Sequence, residues 1–207
     1  MGRKRQELLG VSLTRIAARG VDLKELRNGV AVAKAEATRR IATSAAEIRK
    51  NIQSYELFFL LNGHVCPLTS QFDHAVAKGL PNIFPAIDLL LAVELGYGVL
   101  AGIQDLAKTR GVLRFEVAEE GESFEGMRFP AKCRKGEIVV RDDDGVVASL
   151  FQGPDKRTKL QPTSTDLLVL VFAAPTTLLQ ATTDAEDALW KVLNPCAREC
   201  FVQKGTL

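Results

Sequence analysis

Apolar residues recur at Leu26, Val30, Ala33, Ala37, Ile41, Ala45, Ile48, Ile52, Tyr55 and Phe59, in steps of three and four. That spacing lays one apolar stripe along an amphipathic helix. Lys34, Arg39, Arg40, Arg49 and Lys50 fall on the opposite side, and Gly63 and Pro67 end the helical region. Ahead of it, Leu13 to Ala18 reads as a shorter helical piece, broken near Gly20. Thr69 to Lys78 predicts a short helix closed by Gly79. The run Ala86 to Leu95 predicts another, opened by Pro85 and ended at Gly96 or Gly98.

After Gly111 the pattern changes to short strands between turn residues. Val112 to Val117 is one and Phe124 to Phe129 a second. Glu137 to Arg141 and Val146 to Phe151 predict a hairpin across Asp142-Asp143-Asp144-Gly145. Leu167 to Ala173 is almost wholly apolar, the mark of a buried central strand. Asp184 to Leu193 predicts a last helix, halted by Asn194-Pro195. Helices first, a strand-rich part next and a closing helix make the class α+β.

A chain of 207 residues accommodates one sizeable domain with an extension, or two small domains. With 46% hydrophobic residues it can bury a core without disulfides or metal. The net charge of +2 identifies no partner, but the first fifty residues hold roughly twice as many basic as acidic side chains, starting with Arg3-Lys4-Arg5. Cys66, Cys133, Cys196 and Cys200 are scattered, which fits a reducing compartment better than a disulfide framework. The N-terminus has no secretory pattern and no apolar run is long enough to span a bilayer, so a cytoplasmic location away from membranes is expected.

The chemistry-bearing stretch is Gly153 to Asp166, a polar connection dense in cations and hydroxyls that leads into the apolar strand. Arg157 and Lys159 can hold phosphate, while Thr158, Thr163, Ser164 and Thr165 offer hydroxyls for hydrogen bonding. A solvated strand connection with ordinary turn chemistry accounts for the same composition. Glu122 supplies a carboxylate at a turn. Asp88 and Glu94 stand six apart on the apolar helix and do not share a face. Partial burial raises the pKa of such a carboxylate unless a cation or donor meets it. His64-x-Cys66 and Cys196-x-x-x-Cys200 are too loosely spaced for a zinc site, so neither metal nor cofactor is expected. No phosphate-binding loop, dinucleotide fingerprint or nucleophile elbow is present. The basic face of the long helix suits a nucleic-acid backbone, although a solvated helix face has the same pattern.

Tyr55 to Pro175 resembles the B-three/B-four domain of the bacterial phenylalanyl-tRNA synthetase β subunit, and still more the freestanding proteins that join that domain to a helical lead-in. The residues that carry the resemblance are Tyr55-Glu56-Leu57-Phe58-Phe59, Leu80-Pro81-Asn82-Ile83, Asp88, Glu94-Leu95-Gly96, Gly98, Asp105-Leu106 and Glu120-Gly121-Glu122. Asp144-Gly145-Val146, Arg157-Thr158-Lys159 and Ser164-Thr165-Asp166 follow in the same order. The resemblance implies a helical extension over 1–54, the B-three/B-four-like domain over 55–193 and a tail over 194–207. It implies a translation-fidelity role, hydrolysis of the ester of a mischarged aminoacyl-tRNA, in a pocket bounded by the Asp88 helix, the Gly121-Glu122 turn and the Arg157-Thr158-Lys159 loop. Glu122, Asp88 and Thr158 would then be catalytic, and Arg157, Lys159, Ser164 and Asp105 would bind substrate. The partner would be aminoacylated tRNA, with self-association through the N-terminal helix also open.

Several places depart from the family pattern. Phe84 and Leu91 stand where freestanding members carry polar residues, and Gly102 lies near the place of a synthetase histidine. Cys66-Pro67-Leu68-Thr69-Ser70-Gln71 replaces an Arg and Ser-Ser-Glu cluster, and the lead into Arg157 is altered at Pro154-Asp155. A more apolar pocket follows, and with it a second reading: a module that binds tRNA, an amino acid or a protein without hydrolysis.

Overall fold

The structure, a computed structural model, describes residues 10–175 and 177–206. Arg3-Lys4-Arg5 lie outside the described residues. The fold is α+β, and its elements alternate more than the sequence pattern suggests. In chain order they are β1 (Ser12–Arg19), α1 (Leu23–Leu61), α2 (Leu68–Lys78), α3 (Pro85–Tyr97), β2 (Leu100–Asp105), β3 (Arg114–Val117), β4 (Ser123–Glu125) and β5 (Pro130–Lys132). There follow β6 (Ile138–Asp142), β7 (Gly145–Ser149), β8 (Gly153–Pro154), β9 (Leu167–Ala173), α4 (Leu179–Cys196) and β10 (Glu199–Thr206).

Helix α1 follows the predicted stripe. Asp22 caps it by accepting from Lys24 N (2.8 Å) and Glu25 N (3.1 Å), which satisfies backbone donors that have no intrahelical partner. The helix kinks at Ser44 (φ −131°), beside Thr43, whose hydroxyl donates back to the Arg39 carbonyl at 2.9 Å. Such back-bonding competes with the backbone ladder and bends helices. Leu26 and Val30 before the kink pack under one face of the main sheet; Ile48, Ile52, Tyr55 and Phe59 after it pack against the other. The stripe that might have served self-association is therefore covered by the chain itself. The face opposite differs from expectation too. Lys34 donates to Pro81 O (2.6 Å) and reaches Asp88; Arg39 is forked on Glu36. Arg40 donates to Gly96 O (2.8 Å) and covers the Tyr97 ring, and Arg49 pairs with Asp73 at 2.8 Å. Four of the five expected backbone-binding cations are thus engaged internally.

The main sheet is antiparallel in the order β10-β1-β9-β2. β9 is the predicted buried strand, with Leu167 to Val171 at most 1% exposed. Its two faces serve two cores. Leu168, Leu170 and Phe172 meet the second half of α1 and the smaller sheet; Val169 and Val171 meet α3 and α4. Three expectations are corrected here. Residues 13–18 are strand β1 rather than helix, because β9 and β10 flank it over its whole length. The residues read as a tail form β10, paired with β1 over eight positions. Helix α4 begins at Leu179 and carries Pro195 inside its final turn, where the ring removes only one late hydrogen bond.

The smaller sheet has the order β3-β6-β7-β8, and its β6–β7 hairpin closes as predicted, with Asp142 opposite Gly145. β4 and β5 form a separate short hairpin. No helix among the described residues is long and apolar enough to cross a membrane.

Candidate functional site

The Gly153–Asp166 connection lies between the two sheets, and its polar groups bond to one another and to both. Asp155 is 3% exposed; its Oδ1 accepts from Thr158 N (3.0 Å) and from the Thr158 hydroxyl. Thr158 is fully buried, and its carbonyl accepts from Asp105 N at 2.8 Å, extending the free edge of β2. Asp105 in turn accepts from Ser164 Oγ (2.6 Å) and Ala107 N (3.1 Å), with Lys108 Nζ at 3.5 Å. The Lys159 carbonyl accepts from Lys108 Nζ at 2.5 Å. Asp166 closes the segment by accepting from Gly20 N at 2.9 Å.

Arg157 ties this connection to the β6–β7 turn. Its two terminal nitrogens each lie 3.0 Å from an oxygen of Asp142, a bidentate arrangement, and one also donates to Lys108 O at 3.0 Å. The Asp142 side chain is fully buried. Burial alone pushes its carboxyl up, but the Arg157 fork and the backbone donors of Arg110 and Asp144 outweigh that and hold it below the usual range. Arg157→Ala is expected to cost about 1–2 kcal/mol of stability, since the fork is a third exposed and Asp142 keeps its backbone donors. Chemical denaturation of the variant checks this; an unchanged midpoint would show the fork to be free for a ligand.

Arg157, Thr158, Lys159, Ser164 and Asp105 are therefore brought together. Asp88 and Glu122 share no bonding partner with them. Asp88, in the first turn of α3, accepts from Ile83 N at 2.7 Å and faces Lys34 at 3.8 Å. Glu122 is held bidentately by Arg141 at 2.5 and 2.8 Å. The two carboxylates of α3 contrast: Asp88 meets a cation and a donor, whereas Glu94 is 5% exposed with only Ala101 N bonded to it, at 2.8 Å. Burial pushes the Glu94 carboxyl up to about 8, the Ala101 hydrogen bond only partly opposing it.

Among the described residues, two open grooves stand out. One, of about 340 Å³, lies between α2 and α3, with Leu95, Ala75 and Leu91 as an apolar base and Ser70, Gln71 and His74 as a polar rim. The other, of about 390 Å³, lies along the β4–β5 hairpin beside Phe129 and Gln152. Neither is lined by Asp88, Glu122 or the Arg157–Lys159 loop. Of the apolar departures noted in the sequence, Leu91 lines the first groove, while Phe84 packs against the core on the other side of the main sheet. His74 escaped the sequence reading; its only signal was the i, i+4 spacing from Ser70 on one helix face.

His64, the other histidine, is closed off. Its ring stacks on Phe151 at 4.7 Å and its Nε2 lies 2.8 Å from Glu137.

No family model matches this chain. No curated protein matches it either. Among solved structures, it is similar to an N-terminal fragment of the phenylalanyl-tRNA synthetase β-subunit from Pyrococcus horikoshii. The TM-score is 0.47 and the identity 12%, over 60% of this chain and 47% of that one, so the similarity spans about half of the fragment.

Proposed function

We propose that the chain recognises the aminoacyl end of tRNA, with the amino-acid side chain held in the groove between α2 and α3. The observation that carries this reading is the groove itself. It opens on the Asp88 helix, one of the three elements the sequence resemblance expects around the aminoacyl pocket, and pairs an apolar base with hydroxyl, carboxamide and imidazole groups on its rim. An aminoacyl ester presents that combination in reverse: a side chain to bury, with an amine and a carbonyl to bond. Leu91 takes the place of a polar residue and biases the base toward apolar side chains.

Recognition is favoured over hydrolysis because the groups expected to do chemistry are each taken up by other partners in the fold. Thr158 has its proton committed to Asp155 and no exposed surface. Glu122 is held by Arg141. A deacylase reading draws on a different residue, His74, an exposed imidazole on the groove rim that can hold a water against the ester carbonyl.

The test is a panel of aminoacyl-tRNAs and their non-hydrolysable 3′-amide analogues. Leu91→Trp, which fills the groove, is expected to weaken analogue binding at least about tenfold, more than a kilocalorie's worth of contact. Loss of one ester above the no-protein rate, abolished by His74→Ala, would make the chain a deacylase. Equal binding of charged and uncharged tRNA by wild type and Leu91→Trp alike would remove the groove from the reading.

A further inference from the structure

We infer that the tip of the β4–β5 hairpin is an RNA contact, with Phe129 stacking on an unpaired base and Arg128 and Lys156 taking the adjoining phosphates. The inference rests on the reading that RNA is a ligand, but uses a surface the aminoacyl groove does not touch. Phe129 is 78% exposed and Met127 is 43% exposed. An exposed phenylalanine on a floppy loop would mean little. This one is fixed.

The loop Gly126-Met127-Arg128-Phe129 is drawn tight, since a Cβ at Gly126 would stand 2.6 Å from the Phe129 carbonyl oxygen. Phe129 precedes Pro130, which restricts it to extended backbone. The hairpin is then anchored from behind. Gly126 bridges to Asp155, and Lys156 N donates to Glu125 O at 2.6 Å. The backbone that carries the ring is thus anchored by the same connection that joins the two sheets.

Charge selects the occupant. Among the described residues no carboxylate lies within ion-pair distance of Arg128, Lys132, Arg134, Lys135 or Lys156. The hairpin carries one acid, Glu125. The contrast with α1, whose basic face is largely engaged internally, is direct. Arg128 at the tip and Lys156 behind it, neither with a carboxylate partner, flank a solvent-facing aromatic ring on an anchored backbone, with an open groove beside it; that combination matches a single strand of nucleic acid, where every base offers a π-face and every linkage a phosphate. A membrane surface would demand a broader apolar cap than two side chains.

The experiment is fluorescence anisotropy of the full chain with a labelled, uncharged single-stranded RNA dodecamer, in a salt series. Phe129→Ala is expected to weaken binding about five- to fiftyfold, the contribution of one stacked base, while Phe129→Trp retains it. Arg128→Ala is expected to lower the slope of log affinity against log salt by about 0.7, one phosphate of a single strand. The probe carries no amino acid, so failure of the groove leaves this result untouched. Equal affinity in wild type and Phe129→Ala would overturn the hairpin contact while leaving RNA binding in place. No binding by the wild type, or binding to anionic vesicles in its stead, would overturn it outright.

Discussion

Gly98→Ala is expected to destabilise the protein by about 3 kcal/mol and to lower its melting temperature by about 10 °C. Gly98 ends α3 in the left-handed conformation, φ 66° and ψ 40°. A side chain there costs about 1–2 kcal/mol from local sterics alone. The larger contribution is the neighbour. A Cβ would stand 2.6 Å from the Ile48 carbonyl oxygen and 3.1 Å from Asn51 Cβ, both on α1 just past its kink. That carbonyl belongs to a helix and cannot rotate away. Asn51 completes the junction by donating to Tyr97 O at 3.0 Å. Gly121→Ala is the control. It also has positive φ (78°), but only the far end of Lys132 lies nearby, at 3.8 Å, so about 1 kcal/mol is expected. Gly98→Asn separates the two causes: asparagine tolerates the left-handed region but keeps the clash. Full recovery by asparagine would place the whole effect in the backbone and none in the contact with α1.

That junction also shows what a one-dimensional pattern can reveal. The long stripe from Leu26 to Phe59, the Pro85 start of α3 and its stop at one of two glycines, the hairpin around Asp142–Gly145 and the apolar β9 were all legible, because each is specified by residues a few positions apart. β1 was not. Leu13, Ile16 and Ala17 fit helical spacing as well as they fit a strand, and only β9 and β10, more than 140 residues later, decide between them. β2 was missed for the same reason: Ala101-Gly102 breaks any local strand signal, and its pairing with β9 supplies the specification. The candidate site failed differently. Composition singled out Gly153 to Asp166 correctly as a place of concentrated polar chemistry, yet cannot distinguish groups that await a ligand from groups that satisfy one another. Arg157 and Lys34 had phosphate-like partners in prospect; in the fold each meets an aspartate.

Glu94 gives the second large effect, and its sign is set by burial. The carboxyl stands at about 8 in the folded chain against an ordinary 4.5. A group whose folded pKa is raised binds its proton more tightly folded than unfolded. Its contribution to stability is therefore complete below pH 4.5, falls as pH rises between 4.5 and 8, and is gone above 8. The gap sets a ceiling of about 5 kcal/mol, and local relaxation with water entry should leave about 2–3 kcal/mol. Wild type should thus melt at a distinctly lower temperature at pH 8.5 than at pH 5. Glu94→Gln keeps an acceptor for Ala101 N without the titration, so its profile should be flatter across the same interval, and the variant should be the more stable protein at the alkaline end. Subtracting the two profiles isolates Glu94 from the histidines and surface acids. Two parallel profiles would mean that the carboxylate ionises freely in place, reached by water despite its burial between α3 and β2.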